Sequence, residues 1–201
     1  NVMRGGPGIG NIAPSQADYF QAVKGGGHGD YRLPVLAPSS VQESHDLTID
    51  AFALADRWRT PVIILSDGRI GQMMEPLRLH ARPVPAPPPK PWALTGAKGR
   101  PSHFIRSLML NDGDLEKHNL HLQEKFKKMA AGIRFEETST ADCDLLLVAY
   151  GTSARVAKSA LEEARRAGLR VGLIRPITLW PFPAAPIAAA PAAAVPSYAS
   201  K

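Results

Sequence analysis

Cysteine is almost missing from this sequence: Cys143 is the only one among 201 residues. One thiol excludes a disulfide framework and any cysteine-held metal cluster carried by this chain alone, and it suits a reducing cytoplasm. Long apolar runs are missing too. No stretch approaches the length of a bilayer span and no signal peptide is expected, so the reading is a cytoplasmic protein with no membrane partner. The pattern G-x-x-x-x-G-K-[ST] does not occur, which excludes a P-loop. Nor are aromatic and basic residues interleaved. The formal net charge is +6, yet the cations are scattered over Lys90, Lys98, Arg100, Lys125, Lys127, Lys128, Arg165 and Arg166, the later ones beside acids on faces that read as solvated. A base-stacking surface needs them concentrated, so no nucleic-acid partner is expected.

Glycine, in contrast, is concentrated where it matters. Residues 4–30 hold Gly5, Gly6, Pro7, Gly8, Gly10 and Pro14, and no regular helix or strand can run through such a stretch. Glycine at this density lets backbone N–H groups approach a ligand closely, and Arg4 beside it supplies a fixed cationic fork. A second cluster, Gly25, Gly26 and Gly27, ends in His28 and Asp30, a titratable pair on a loop. Together these suggest a site for an anionic small molecule; a surface linker is the competing reading. Gly8, Gly10 and Ala13 also match the G-x-G-x-x-G/A dinucleotide fingerprint, but Pro14 falls where its helix should run.

Taken in order, Val2 and Met3 are expected to end a strand that feeds the glycine loop. Gln16, Tyr19, Phe20 and Val23 have the spacing of a short helix stopped by Gly25. Residues 33–37 read as a strand that Pro34 pushes toward a sheet edge or a strand start. Ser40 and Glu43 form a capping box ahead of a helix whose broad apolar face carries Leu47, Ala51, Leu54 and Trp58, flanked by Thr48, Phe52 and Ala55. Residues 62–65 read as a strand buried on both faces, and Ser66-Asp67-Gly68 as the turn after it. Residues 76–92 are proline-dense and read as an extended connector. An amphipathic helix from Asp112 or Asp114 to Gly132 places Leu115, Leu122, Phe126 and Met129 on one face. His118 and His121 have metal-ligand spacing on it but no third ligand, so an exposed face is expected. Residues 144–174 give a βαβ unit: a buried strand at 145–149, a turn with a helix cap at Gly151, Thr152 and Ser153, a helix with a Glu162–Arg166 pair, and a strand from Val171. Both edges read as cuts. Asn1 to Met3 looks like the end of a strand, and 183–201 is an Ala/Pro tract with little to bury, so a fragment is expected.

At this point the residues carry a resemblance. Asn-Val-Met-Arg-Gly-Gly-Pro-Gly at 1–8, Pro-Ser-Gln-Ala-Asp-Tyr-Phe-Gln-Ala at 14–22, Gly-Gly-Gly-His-Gly-Asp-Tyr-Arg at 25–32 and Leu-Ala-Pro-Ser-Ser-Val-Gln-Glu at 36–43 resemble the 2-oxoacid:ferredoxin oxidoreductases. The similarity continues through the motifs at 66–76, 90–100, 118–125 and 174–183, and is closest to the pyrimidine-domain subunit of the branched-chain (3-methyl-2-oxobutanoate) enzymes. It implies an α/β fold: the C-terminal part of a pyrimidine-type domain of thiamine-diphosphate enzymes over 1–76, a connector and amphipathic helix over 77–142, the start of a truncated transketolase-C-terminal-like domain over 143–183, and a tail over 184–201.

The same resemblance implies a multisubunit enzyme that decarboxylates a 2-oxo acid oxidatively, passes two electrons through iron–sulfur clusters to ferredoxin, and forms an acyl-CoA. Thiamine diphosphate and its Mg²⁺ would be shared with a diphosphate-binding subunit, because Ser66-Asp67-Gly68 is no Gly-Asp-Gly metal motif. The clusters would sit on a ferredoxin-like subunit, beside a gamma-type subunit. By resemblance Arg4 lies near the substrate, where a guanidinium can hold a carboxylate bidentately, and Gly5 and Gly6 let the backbone approach. His28 and Asp30 either line the cleft or form a structural pair; Lys98 and Arg100 face CoA or water. The family's catalytic glutamate is expected upstream of Asn1, so this chain alone is expected to be inactive. Alternatives are a 2-oxoglutarate or pyruvate enzyme, a non-catalytic remnant, and a Rossmann-like nucleotide binder.

Overall fold

Val2–Met3 form β1, which leads straight into the glycine loop as expected. A computed structural model describes residues 1–79 and 86–191; parts of the expected connector and of the Ala/Pro tail lie outside the described residues. Tyr19–Val23 make the short helix α1, followed by a 3₁₀ turn at Gly25–Gly27. Val35–Leu36 form β2, and Val41–Trp58 form α2. Pro34 stands just before β2, but the strand is central in its sheet rather than at an edge. Proline is tolerated there because only its carbonyl is used, accepting from the Ile63 N–H at 2.9 Å.

Helix α2 starts as its sequence demands, with one change. The Ser40 hydroxyl accepts from the Glu43 N–H at 3.1 Å, closing half of the capping box. The Glu43 carboxylate does not return to Ser40. It takes the Ser39 N–H and hydroxyl instead, at 2.7 and 2.9 Å. The buried stripe is also narrower than the spacing implied, for Leu47 and Ala51 are buried while Phe52 is 73% exposed.

Ile63–Ile64 form β3, and Ser66–Asp67 form β4. The expected turn at Ser66-Asp67-Gly68 is therefore a strand followed by a helix, α3, over Gly68–Gln72. Ile63 and Ile64 pack into two different apolar clusters, so both faces of β3 have apolar contacts, but its residues are half-buried rather than enclosed because β3 ends its sheet among the described residues. Asp114–Ala130 make α4, whose C-terminal half buries Phe126 and Met129 while Leu115 stays 54% exposed.

Phe135–Thr138 form β5, Leu145–Val148 β6, Gly151–Arg166 α5, and Val171–Pro176 β7. Thr178–Trp180 form β8 and Ala184–Ala189 a last short helix, α6. The βαβ reading holds, since β6 and β7 are parallel with α5 between them. Strand β6 is nevertheless an edge strand, with Leu145 and Val148 39% and 44% exposed. Strand β7 is the central one, with β6 parallel on one side and β5 antiparallel on the other.

The strands make one pair and two sheets: β1 with β4, then β3-β2-β8, then β5-β7-β6. Strand β8 lies antiparallel to β2, so the chain returns to the first of the two sheets after completing the second. Around these strands sits the largest cluster of buried side chains, with Met3, Val23, Val35, Leu65 and Leu179 enclosed and Tyr19, Tyr150 and Trp180 packed on it. Each fully enclosed leucine contributes about 1.5–3 kcal/mol relative to exposure. The cluster takes residues from both ends of the chain, and it ties β1, the root of the glycine loop, to β8.

Candidate functional site

Met3 is 1% exposed and pairs in register with Asp67 of β4. That anchor fixes where the chain leaves the core, one residue before Arg4. The loop then closes on itself. Arg4 bridges to Pro14, the Gly5 N–H donates to the Ala13 carbonyl at 3.0 Å, and the Asn11 N–H donates to the Gly5 carbonyl at 2.9 Å. The Asn11 side-chain oxygen accepts from the Ala13 N–H at 3.0 Å. Gly10 is indispensable here: its φ is +57°, and a Cβ would stand 1.6 Å from the Gly5 carbonyl oxygen. No helix opens at Gly8 to Ala13, α1 starting only at Tyr19, so the dinucleotide fingerprint lacks the helix and the N-terminal dipole where it requires them.

Gly5 and Gly6 do different things within this loop. The space of a Gly5 Cβ is taken by the Asn11 side-chain oxygen at 2.6 Å, and its N–H is already bonded inside the loop. A Gly6 Cβ would meet only Gly8 N, at 3.9 Å, leaving that side open to an approaching molecule. A recess of about 670 Å³ is lined by Arg4, Gly6, Pro7, Gly8, Ser15 and Asp18, among others. Arg4 also borders a second recess of about 410 Å³, shared with Ile12 and Gln72. Its guanidinium forms no ion pair or side-chain hydrogen bond among the described residues. An unengaged arginine between two recesses, beside a backbone stripped of side chains, is equipped to receive a carboxylate.

His28 and Asp30 follow the 3₁₀ turn and are both exposed, Asp30 with φ +57°. They do not hydrogen-bond to each other, and neither lines the two recesses beside Arg4. Arg100 donates to the Pro101 carbonyl at 3.0 Å, and Lys98 is exposed. His118 and His121 lie on the exposed side of α4. Among the described residues no three histidines, cysteines or carboxylates gather as a metal site.

Sequence reasoning missed Asp67. It is 2% exposed, and both of its oxygens are used. Oδ1 accepts from the Arg69 and Ile70 N–H groups at 3.0 and 3.1 Å, capping α3, and from the Thr152 hydroxyl at 2.8 Å. Oδ2 accepts from the Thr152 N–H at 3.1 Å, capping α5 from a distance. The cap expected locally at Gly151, Thr152 and Ser153 is therefore absent, because the N-cap residue is Tyr150 and has no capping side chain. An aspartate before a short helix was a legible signal; its second helix was not.

Tyr150 sits beside this junction. Its carbonyl accepts from the Gln16 amide at 3.0 Å, and its ring lies 5.9 Å from that of Tyr19. The Tyr150 hydroxyl is buried without a partner among the described residues. Burial, then the neighbouring Tyr19, Asp67 and Asp18, push its pKa up to about 12. On the other side of the junction, Arg155 of α5 donates to the Ser39 carbonyl at 2.9 Å and to Glu75 at 2.8 Å.

Known proteins resemble this chain throughout. A family model described as pyruvate flavodoxin/ferredoxin oxidoreductase, thiamine diphosphate-binding, matches residues 1–141, and one described as pyruvate:ferredoxin oxidoreductase core domain II matches residues 143–196. Ketoisovalerate oxidoreductase subunit VorB of Methanothermobacter marburgensis is 54% identical over 185 residues, covering 92% of this chain and 53% of that protein. 2-Oxoglutarate synthase subunit KorA of Archaeoglobus fulgidus is 37% identical over 198 residues, covering 91% of this chain and 54% of that protein. The chain thus spans about half the length of the curated relatives it matches. In fold it is similar to a 2-oxoglutarate:ferredoxin oxidoreductase from Magnetococcus marinus, solved with 2-oxoglutarate, coenzyme A and succinyl-CoA bound, with a TM-score of 0.68 at 24% identity over 92% of this chain and 38% of that one. With the first family model alone matching well over half of its residues, the chain belongs to the pyruvate flavodoxin/ferredoxin oxidoreductase family.

Proposed function

We propose that this chain is part of the pyrimidine-side subunit of a thiamine-diphosphate-dependent oxidoreductase that acts on 3-methyl-2-oxobutanoate. The overall conversion is 2-oxo acid plus CoA and two oxidised ferredoxins to acyl-CoA, CO₂, a proton and two reduced ferredoxins. The observation that carries the substrate is the 54% identity to a ketoisovalerate subunit, against 37% to a 2-oxoglutarate subunit over a similar share of the chain. On this reading residues 1–76 belong to the pyrimidine-binding domain, and 143–183 begin the transketolase-C-terminal-like one.

Thiamine diphosphate supplies a nucleophilic carbon and an electron sink for the decarboxylation. The residues beside Arg4 suit the substrate side of such a site. A guanidinium unengaged among the described residues and the open flank of Gly6 can receive a carboxylate, whereas among those residues no set of carboxylates gathers around a magnesium position. The diphosphate and Mg²⁺ are accordingly assigned to the diphosphate-binding partner subunit, and the iron–sulfur clusters to the ferredoxin-like one, alongside a gamma-type subunit. The exposed Phe104, Ile105, Leu108 and Leu110 support assembly with other chains. Among the described residues no helix is long and apolar enough to cross a membrane; a cytoplasmic complex reducing ferredoxin is proposed.

Within the site Arg4 holds the carboxylate of the 2-oxo acid through two parallel N–H···O bonds, with Gly6 leaving room for the reacting end. The test is steady-state kinetics on the complex carrying the full-length subunit. Arg4→Ala is expected to raise KM for the 2-oxo acid by roughly 10–100-fold, the loss of a charge-assisted pair, and Arg4→Lys to recover part of it. An unchanged KM in Arg4→Ala would remove the arginine from the site.

A further inference from the structure

We propose that Asp67 is a positioning residue, the joint through which the C-terminal βαβ unit sets the place of the Arg4 loop. One carboxylate serves two helices far apart in sequence, α3 through Arg69 and Ile70 and α5 through both donors of Thr152. No cation pairs with it among the described residues, so its charge is met by N–H groups and the positive ends of the two helices. Gly151 makes the approach possible. Its φ is +58°, and a Cβ there would stand 3.1 Å from Asp67 Oδ2 and 3.5 Å from the Gln16 amide nitrogen.

From this joint two short routes lead to Arg4. The first is β4 itself, where Asp67 is the register partner of Met3, immediately before Arg4. Its next residue, Gly68, lies under the loop: a Cβ there would come within 3.0 Å of the Ile12 carbonyl and 3.5 Å of the Met3 carbonyl. Gln72, at the end of α3, donates to the same Ile12 carbonyl at 3.2 Å. The second route is Gln16, just past the loop, which donates to the carbonyl of the α5 N-cap residue, Tyr150. Loosening α5 at Asp67 therefore acts at the point where the strand and the tether that flank the loop come together.

The substitution that isolates this role is Asp67→Asn. An amide can keep Oδ1 on its three donors and so keep α3 capped, but its NH₂ then faces the Thr152 N–H donor to donor. The inference rests on the reading of Arg4 as the carboxylate ligand, and two measurements separate them. In hydrogen–deuterium exchange on the complex with the full-length subunit, Asp67→Asn is expected to deprotect residues 4–14 together with the first turn of α5. In kinetics it is expected to raise KM for the 2-oxo acid roughly tenfold, about the factor for one charge-assisted hydrogen bond, with kcat changed much less. A merely structural role would instead lower the active fraction, and with it kcat, at unchanged KM. Thr152→Val, which removes only the hydroxyl bond, serves if Asp67→Asn does not assemble and should show the same pattern more weakly; Thr152→Ser should exchange like the wild type. Unaltered exchange at 4–14, or a loss confined to kcat, overturns the proposal. Deprotection without a KM change, in a protein whose Arg4→Ala also keeps its KM, overturns the reading of Arg4 and leaves the joint standing.

Discussion

Among the described residues Tyr150 keeps a buried hydroxyl without a partner, at the point where two aromatic rings and two carboxylates meet. Burial is the main reason its pKa rises to about 12. The sign follows from linkage: a phenol whose folded pKa lies above its unfolded one contributes stability that is intact below about pH 10 and is lost as pH rises beyond it. Removing an orphan hydroxyl while keeping the ring costs little, so Tyr150→Phe is expected to change unfolding stability by less than about 0.5 kcal/mol, or to raise it. It should also remove the last phase of the tyrosine absorbance titration. A loss above about 1 kcal/mol would mean that the hydroxyl has a partner. Single residues were legible in the sequence where their structural role is local. Gly10 announces itself by its glycine-rich neighbours, and Ser40 by the helix it caps. Asp67 and Tyr150 do not, because Asp67 reaches a residue 85 positions away and the burial of Tyr150 is made by elements from both ends of the chain.

Elements tell the same story through their joints. Arg175 of β7 is 5% exposed and lies between Glu43 of α2, at 2.6 and 3.0 Å, and Glu136 of β5, at 2.7 Å. Burial works against its charge most strongly, but the two carboxylates outweigh it and raise its pKa. The hydrogen bond from Arg175 likewise holds the Glu136 carboxyl below the ordinary range. A depressed carboxyl stabilises above its unfolded pKa and loses that contribution as pH falls through the folded one, so this link weakens below the usual glutamate range. Arg175→Met leaves Glu43 with only its Ser39 donors and should cost about 2–4 kcal/mol in urea unfolding, whereas Glu136→Gln, at the exposed end, should cost under about 1 kcal/mol. Equal costs would contradict this division. The periodic elements, α2 and the β6–α5–β7 unit, were readable because their apolar spacing matches their geometry. Strands β5 and β8 were not. Phe135–Thr138 carries two glutamates, and Thr178–Trp180 stands between prolines and pairs with β2, more than 140 residues earlier. Helix α3, five residues long, is too short to show a period.

At the scale of the whole molecule, the return of β8 to the first sheet places both family-matched segments on one buried cluster, which includes Met3 and so the root of the Arg4 loop. That arrangement leaves the loop open on the side away from the core, where other subunits of the complex are proposed to complete the site. The exposed apolar side chains from Phe104 to Leu110 lie on a surface of the kind that other chains cover. The most direct measurement is CoA-dependent reduction of a low-potential acceptor by the complex containing the full-length subunit, prepared anaerobically and offered a panel of 2-oxo acids. Fastest turnover with 3-methyl-2-oxobutanoate, abolished without CoA, is the expected result. Preference for 2-oxoglutarate or pyruvate would contradict the branched-chain assignment, and no turnover with any 2-oxo acid would contradict the oxidoreductase assignment itself.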